Sequence, residues 1–102
     1  MTSPWLSSSP LNLRGRLDPL PHGFKDCLPI FTGTGARTAE EHLVDFATAC
    51  WVLGVTSENV AVRLFALSLE EFAQRWFRSL DPGSMTSWTE MMEAFKTKYT
   101  LY

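Results

Sequence analysis

Cysteine is scarce in this chain, and so is most of what usually announces chemistry. Two cysteines in 102 residues, Cys27 and Cys50, are too few and too scattered for a disulfide framework. With His22 and His42 they are the only good soft-metal ligands, and no CxxC or HxxxH spacing joins them. No zinc site is therefore expected; solvent-exposed histidines and a core cysteine are the ordinary reading. Excess positive charge is also missing. Nine Lys and Arg against 11 Asp and Glu leave a net charge of −2, which gives no general reason to expect nucleic-acid or acidic-membrane binding. No run of 18 apolar residues is present, so no membrane span is expected. Met1 to Pro10 lacks a basic start and an apolar h-region, which leaves secretion unsupported. The expectation is an intracellular protein, cytoplasmic rather than nuclear.

Catalytic signatures are absent as well. No nucleophile elbow occurs, and Gly33-Thr34-Gly35 lacks the lysine-serine pair of a phosphate loop. Glu40-Glu41 and Glu70-Glu71 fall in the first turns of expected helices, where acids favour the helix dipole. Arg75 and Arg78 share their helix side with Glu71 and Gln74, the pattern of a solvated face. No enzyme activity, cofactor or metal is expected.

What the chain does have is apolar mass. Hydrophobic residues make up 45% and aromatics 13%, with four Trp and seven Phe, enough for a small domain to fold on its own. The richest stretch, Arg63 to Leu80, reads as two helices meeting at a polar step. In the first, Val60, Leu64 and Leu67 share a face, Ala61 and Phe65 flank it, and Val62, Ala66 and Leu69 take the far side. A helix apolar all round belongs in the middle of a bundle. Ser68 and Glu71 have capping-box spacing, so a new helix is expected there. It carries Phe72, Ala73, Trp76, Phe77 and Leu80 on one stripe of roughly 140°.

Residues 1–28 differ. Four prolines between Pro4 and Pro21, with Ser7-Ser8-Ser9, Gly15 and Gly23 among them, allow no long regular element. This is expected to be a flexible, Pro/Ser-rich arm, with Trp5, Leu6, Leu11, Leu13, Leu17 and Leu20 as points through which parts of it can dock; residues 29–102 are expected to form the domain. Leu28-Pro29-Ile30-Phe31 should lie extended across it and bury Ile30 and Phe31, before a turn at Thr32-Gly33-Thr34-Gly35. Thr38 and Glu41 form a capping box for the first helix, and Gly54 is its expected stop. Its inward face is Leu43, Phe46, Ala47, Cys50 and Leu53, with Val44, Trp51 and Val52 outside that face. Thr56 or Ser57 caps the second helix. Asp81-Pro82-Gly83-Ser84 is a turn, and Ser87 with Glu90 forms a third capping box. The last helix then presents Trp88, Met91, Met92, Phe95 and Tyr99 within about 100°. The expected fold is all-α: a compact bundle of four helices or slightly more, preceded by an extended N-terminal arm. Its core anchors are Phe46, Leu64, Phe65, Phe72, Trp76, Phe77, Leu80, Trp88 and Phe95.

The order of these features resembles the retrotransposon gag domain, the capsid region of gypsy-type long-terminal-repeat elements. The matching pieces are Ile30 to Gly35, Glu41 to Phe46, Leu53-Gly54-Val55, Ala61 to Phe65 and Ser68-Leu69. Ala73-Gln74-Arg75-Trp76-Phe77-Arg78-Ser79-Leu80 is the densest, followed by Pro82-Gly83-Ser84, Ser87-Trp88, Phe95, Lys98 and Tyr99. The resemblance implies a capsid N-terminal-type lobe that self-assembles around the element's RNA, with no catalytic residues to carry over. A second lobe, a Cys-Cys-His-Cys knuckle and a protease do not occur in these 102 residues. The resemblance therefore implies a truncated or domesticated Gag, contacting RNA only indirectly. The implied partners are weakly associated copies and other Gag chains. Val44, Trp51 and Val52 are the candidate interface; cover by the arm, through Trp5 or one of its leucines, and plain exposure are the competing readings. The alternative function is a host-recruited helical adaptor that binds a partner peptide in a hydrophobic groove.

Overall fold

Thr38 opens the longest helix because its hydroxyl and the Glu41 carboxylate each satisfy a backbone N–H that the helix start leaves unpaired. Thr38 Oγ1 accepts from the Glu41 N–H at 3.0 Å, and Glu41 Oε1 accepts from the Thr38 N–H at 2.9 Å. Hydrogen bonding to its carboxylate, first from the Thr38 backbone N–H and then from the Thr38 side chain, holds the Glu41 carboxyl below its ordinary range. The computed structural model of the chain describes residues 9–13, 15 and 17–99. Their helices are α1 (Phe24–Cys27), α2 (Ala39–Val52), α3 (Glu58–Leu67), α4 (Glu71–Arg78) and α5 (Trp88–Tyr99). No strand occurs among the described residues, only isolated parallel bridges between Leu11 and Met85 and between Phe31 and Leu69. The molecule is a compact all-helical globule.

α2 stops at Gly54, whose φ of 70° an L side chain rarely adopts. α3 follows and is buried through Val60, Val62, Leu64 and Phe65. Leu67, expected on the same face, is 51% exposed at the last turn. The polar step after α3 is built otherwise than the Ser68–Glu71 spacing suggested. Ser68 is fully buried and caps nothing ahead of it; its hydroxyl donates back to the Phe65 carbonyl at 2.6 Å. Glu70 precedes α4 instead, and Glu71 enters it at φ 51°.

The extended Phe31-Thr32 segment does the capping. Phe31 N–H donates to the Ser68 carbonyl at 2.8 Å, Glu70 N–H donates to the Phe31 carbonyl at 3.0 Å, and Ala73 N–H donates to the Thr32 carbonyl at 3.0 Å. The Ala73 N–H, in the first turn of α4, is thus shared between the Thr32 carbonyl and that of Glu70, at 3.1 Å. This strap buries Phe31 but leaves Ile30 41% exposed, as alternation along an extended chain requires. Gly33 lies so close to Ala73 and Tyr99 that a Cβ there would meet Tyr99 Oη at 2.9 Å and Ala73 N at 3.2 Å.

Backbone approach also decides which face of α4 goes inward. Ala73 is fully buried and Phe77 nearly so, while Trp76 and Leu80 are half-buried against the core. Phe72 is a correction: it is 55% exposed, with the Arg75 guanidinium 5.1 Å from its ring centroid. The strap needs the smallest residue at closest approach, and Phe72 is one helical step, about 100°, from Ala73.

α5 starts with half of the expected box. Ser87 Oγ accepts from Glu90 N–H at 3.2 Å, but the Glu90 carboxylate turns to the Thr86 N–H and hydroxyl. Glu58 Oε2 accepts from Trp88 N–H at 2.8 Å and ties the starts of α3 and α5 together. Met91 and Phe95 are fully buried, and Trp88 is half-buried. The core is a set of rings meeting edge to face: Phe46–Phe65 at 5.2 Å, Phe65–Phe95 at 4.9 Å and Phe31–Phe95 at 5.2 Å.

The described part of the arm is docked rather than free. Pro10 is buried, and Leu11, Leu13, Leu20 and Phe24 pack against the core. Asp18 is held at the start of α3: its N–H donates to Asn59 Oδ1 at 3.2 Å, and its carbonyl accepts from Arg63 at 2.5 Å. Trp5 lies outside the described residues.

Candidate interaction surface

α2 has two faces with opposite tasks. Inward it presents Ala39, His42, Phe46 and Ala49, all buried. Leu43, Cys50 and Leu53 are half-buried at the edge of that face, and Ala47, expected on it, is exposed. The centre of the face is His42, which is completely inaccessible, contrary to the exposed histidine expected. Its ring lies 5.3 Å from Phe31 and 5.5 Å from Phe65.

The tautomer follows from proton counting. His42 Nε2 lies 2.9 Å from Ser68 Oγ, and the single Ser68 proton is used on the Phe65 carbonyl. Nε2 must therefore donate and Nδ1 must be bare. Nδ1 is buried and has no partner. Charging the ring would place an N–H there with nothing to accept it. Burial, aided by Arg37 and opposed by Asp45, lowers the His42 pKa to about 4. The pair is no nucleophile and base, since both residues are inaccessible and the hydroxyl proton points to a main-chain carbonyl. It fastens α2 to the turn between α3 and α4.

Outward, α2 presents Val44, Trp51 and Val52 at 66%, 83% and 60% exposure. Exposed Ala47 and Thr48 fill the intervening i+3 and i+4 positions. The Thr48 hydroxyl donates to the Val44 carbonyl at 3.1 Å, so its hydrogen-bond donor is already used. The result is an apolar stripe two turns long on one side of a firmly anchored helix. Its N-terminal end is charged, with Arg37 paired to Asp45 beside Glu40 and Glu41. Thr48 and Ala47 escaped the sequence reading because one is polar and the other was assigned inward; the 3.6-residue period alone places both beside Val44 and Trp51.

Next to the stripe runs an open groove of about 740 Å³ between α2 and α5. α2 lines it with Leu43, Phe46, Cys50 and Trp51, α5 with Trp88 and Met92, and the start of α3 adds Glu58 and Ala61. Phe46 and Trp88 stack at 5.7 Å with planes 14° apart, which fixes the shape of the groove. Burial pushes the Cys50 thiol up, away from reactive thiolate. Cys27 is exposed on α1. Among the described residues no three His, Cys, Asp or Glu side chains are grouped to hold a metal ion. No described helix is long and apolar enough to cross a membrane.

Compared with known proteins, residues 26–100 match the family model described as retrotransposon-derived protein PEG10, N-terminal capsid-like domain. No curated protein and no solved structure matches the chain.

Proposed function

We propose, for a chain that belongs to the retrotransposon-derived PEG10 N-terminal capsid-like domain family, that it works by self-association through the outward face of α2. The family is one of structural, capsid-like domains. The observation that carries the reading is the stripe of Val44, Ala47, Thr48, Trp51 and Val52. A side chain as large as Trp51 at 83% exposure on a rigid helix is the kind of anchor that dominates interfaces. In this reading the protein is a structural Gag-type lobe of gypsy-type descent. It meets other copies or other Gag chains weakly, touches RNA only indirectly, and acts inside the cell, in the cytoplasm.

The groove beside the stripe favours a second reading, a helical adaptor that takes a partner's apolar peptide between α2 and α5. One experiment separates the two. Trp51→Gln with Val52→Thr should weaken association in sedimentation by tenfold or more while leaving the melting temperature nearly unchanged. Unaltered association would remove the α2 contact. A chain monomeric at every concentration would favour the adaptor.

A further inference from the structure

Met85 is paired in parallel register with the arm. Its N–H donates to the Pro10 carbonyl at 2.8 Å, and its carbonyl accepts from the Asn12 N–H at 2.8 Å. Gly83 N–H donates to the Ser9 carbonyl at 3.0 Å. The ladder asks nothing of the nitrogen of residue 10, so proline fits there without a lost bond. Leu11 N–H is taken up locally by Ser9 Oγ at 3.2 Å. Pro10 is buried and Leu11 packs on the core. This is a single parallel bridge, in which backbone bonds hold the tip while the consecutive Pro10 and Leu11 side chains rest on the core. Met85 lies inside the family match, and the tip that pairs with it lies outside.

We infer that the Met85 edge also docks the Ser9–Asn12 tip of a second copy, so that associated chains exchange arms. Every copy carries the same edge and the same tip, so exchange conserves each contact and changes only which chain supplies it. Gly15, between the tip and the next anchor, has a φ of 76°, and a Cβ built there would meet nothing within 4 Å. The next anchor, Asp18, is held by exposed polar bonds to Asn59 and Arg63, which are replaced by water at small net cost. The inference rests on the self-association proposed above. Copies held together at α2 bring a neighbour's tip to an effective concentration at which it competes with the chain's own.

The pairing offers its own reporter. A Cβ at Gly83 would lie 3.8 Å from Asn12 Cβ, and Cβ atoms across a disulfide are about 3.8 Å apart. In a full chain with Cys27→Ser and Cys50→Ala, Asn12→Cys and Gly83→Cys are made singly and together. The double variant, oxidised when dilute, should close within one chain and shows that the turn accepts cysteine at a φ of 73°. The two single variants, mixed, can close only between chains. A disulfide-linked heterodimer that exceeds both homodimers, and rises with concentration, is the expected result. If the double variant closes and the mixture gives no such excess, or if the double variant fails to close, the inference is overturned. Sedimentation of the same samples separates the two ideas. Association without heterodimer removes exchange and leaves the α2 contact standing, whereas absence of association removes both.

Discussion

Lowering the pH from 7.5 to 5 should destabilise this domain through one side chain. His42 is inaccessible, donates from Nε2 to Ser68, and leaves Nδ1 without a partner. Its pKa in the folded chain is about 4, against 6.5 for a free histidine. A depressed histidine pKa means that the unfolded chain takes up the proton first. Its contribution is intact above pH 6.5 and is lost as the pH falls from there towards 4. The two pKa values imply a loss of roughly 2 kcal/mol between pH 7.5 and 5, and about 3 kcal/mol once both states are protonated. For a domain of this size, 2 kcal/mol lowers the melting temperature by roughly 10 °C. Asp18, Glu41 and Glu90 have carboxyls lowered by hydrogen bonds. Their contributions are lost only in and below the ordinary carboxylate range, so the window from pH 7.5 to 5 isolates the histidine. The assay is thermal or urea unfolding across that window for the native chain and for His42→Phe, which suits the surrounding rings. The native chain should lose stability steadily below pH 6.5 and the variant should show no such slope. A flat native profile, or a slope that survives in His42→Phe, would refute the buried neutral histidine.

Four further outcomes follow from the packing and the backbone. Phe95→Ala should cost about 3–5 kcal/mol, since Phe95 is fully buried among five other rings. Phe72→Ala, at a 55% exposed position, should cost under about 1 kcal/mol by urea titration; equal losses would contradict the assigned face of α4. Gly33→Ala should destabilise by at least about 1–2 kcal/mol, from its φ of 78° and the contacts at Tyr99 and Ala73; a neutral result would mean that the strap does not approach α4 as described. Glu71→Gly should be neutral or stabilising by about 1 kcal/mol, because Glu71 holds φ 51°, and a clear loss on thermal melting would count against that conformation.

The helices were legible because local chemistry and packing agree where they begin and end: Thr38 with Glu41, Gly54, and the turn at Asp81 to Ser84. The stripe on α2 was legible too, because Val44, Trp51 and Val52 are apolar positions that the helical period sets apart from Phe46. What was not legible depends on partners distant in sequence. His42 is hidden because Ser68, 26 residues on, supplies its bond. Ser68 looked like a cap because its spacing to Glu71 was right, yet its hydroxyl had a closer acceptor behind it at Phe65. Helical period puts Phe72 at the edge of one apolar stripe with Ala73 and Trp76, whereas the Thr32 carbonyl requires the small Ala73 at the contact. The docking of Pro10 and Leu11 depends on backbone bonds to Met85, and a proline-rich composition carries no trace of them.

The contact surface itself is tested most directly by the tryptophan indole resonances. A dilution series of 15N-labelled protein reports each indole N–H separately, with Trp51 assigned by Trp51→Phe. Trp51 is 83% exposed at the centre of the proposed contact, while Trp76 is half-buried against Phe95 and Tyr99. The account predicts that the Trp51 signal shifts and broadens as concentration rises while that of Trp76 stays in place. A Trp51 signal indifferent to concentration, in samples whose sedimentation shows association, would place the contact elsewhere and contradict the account.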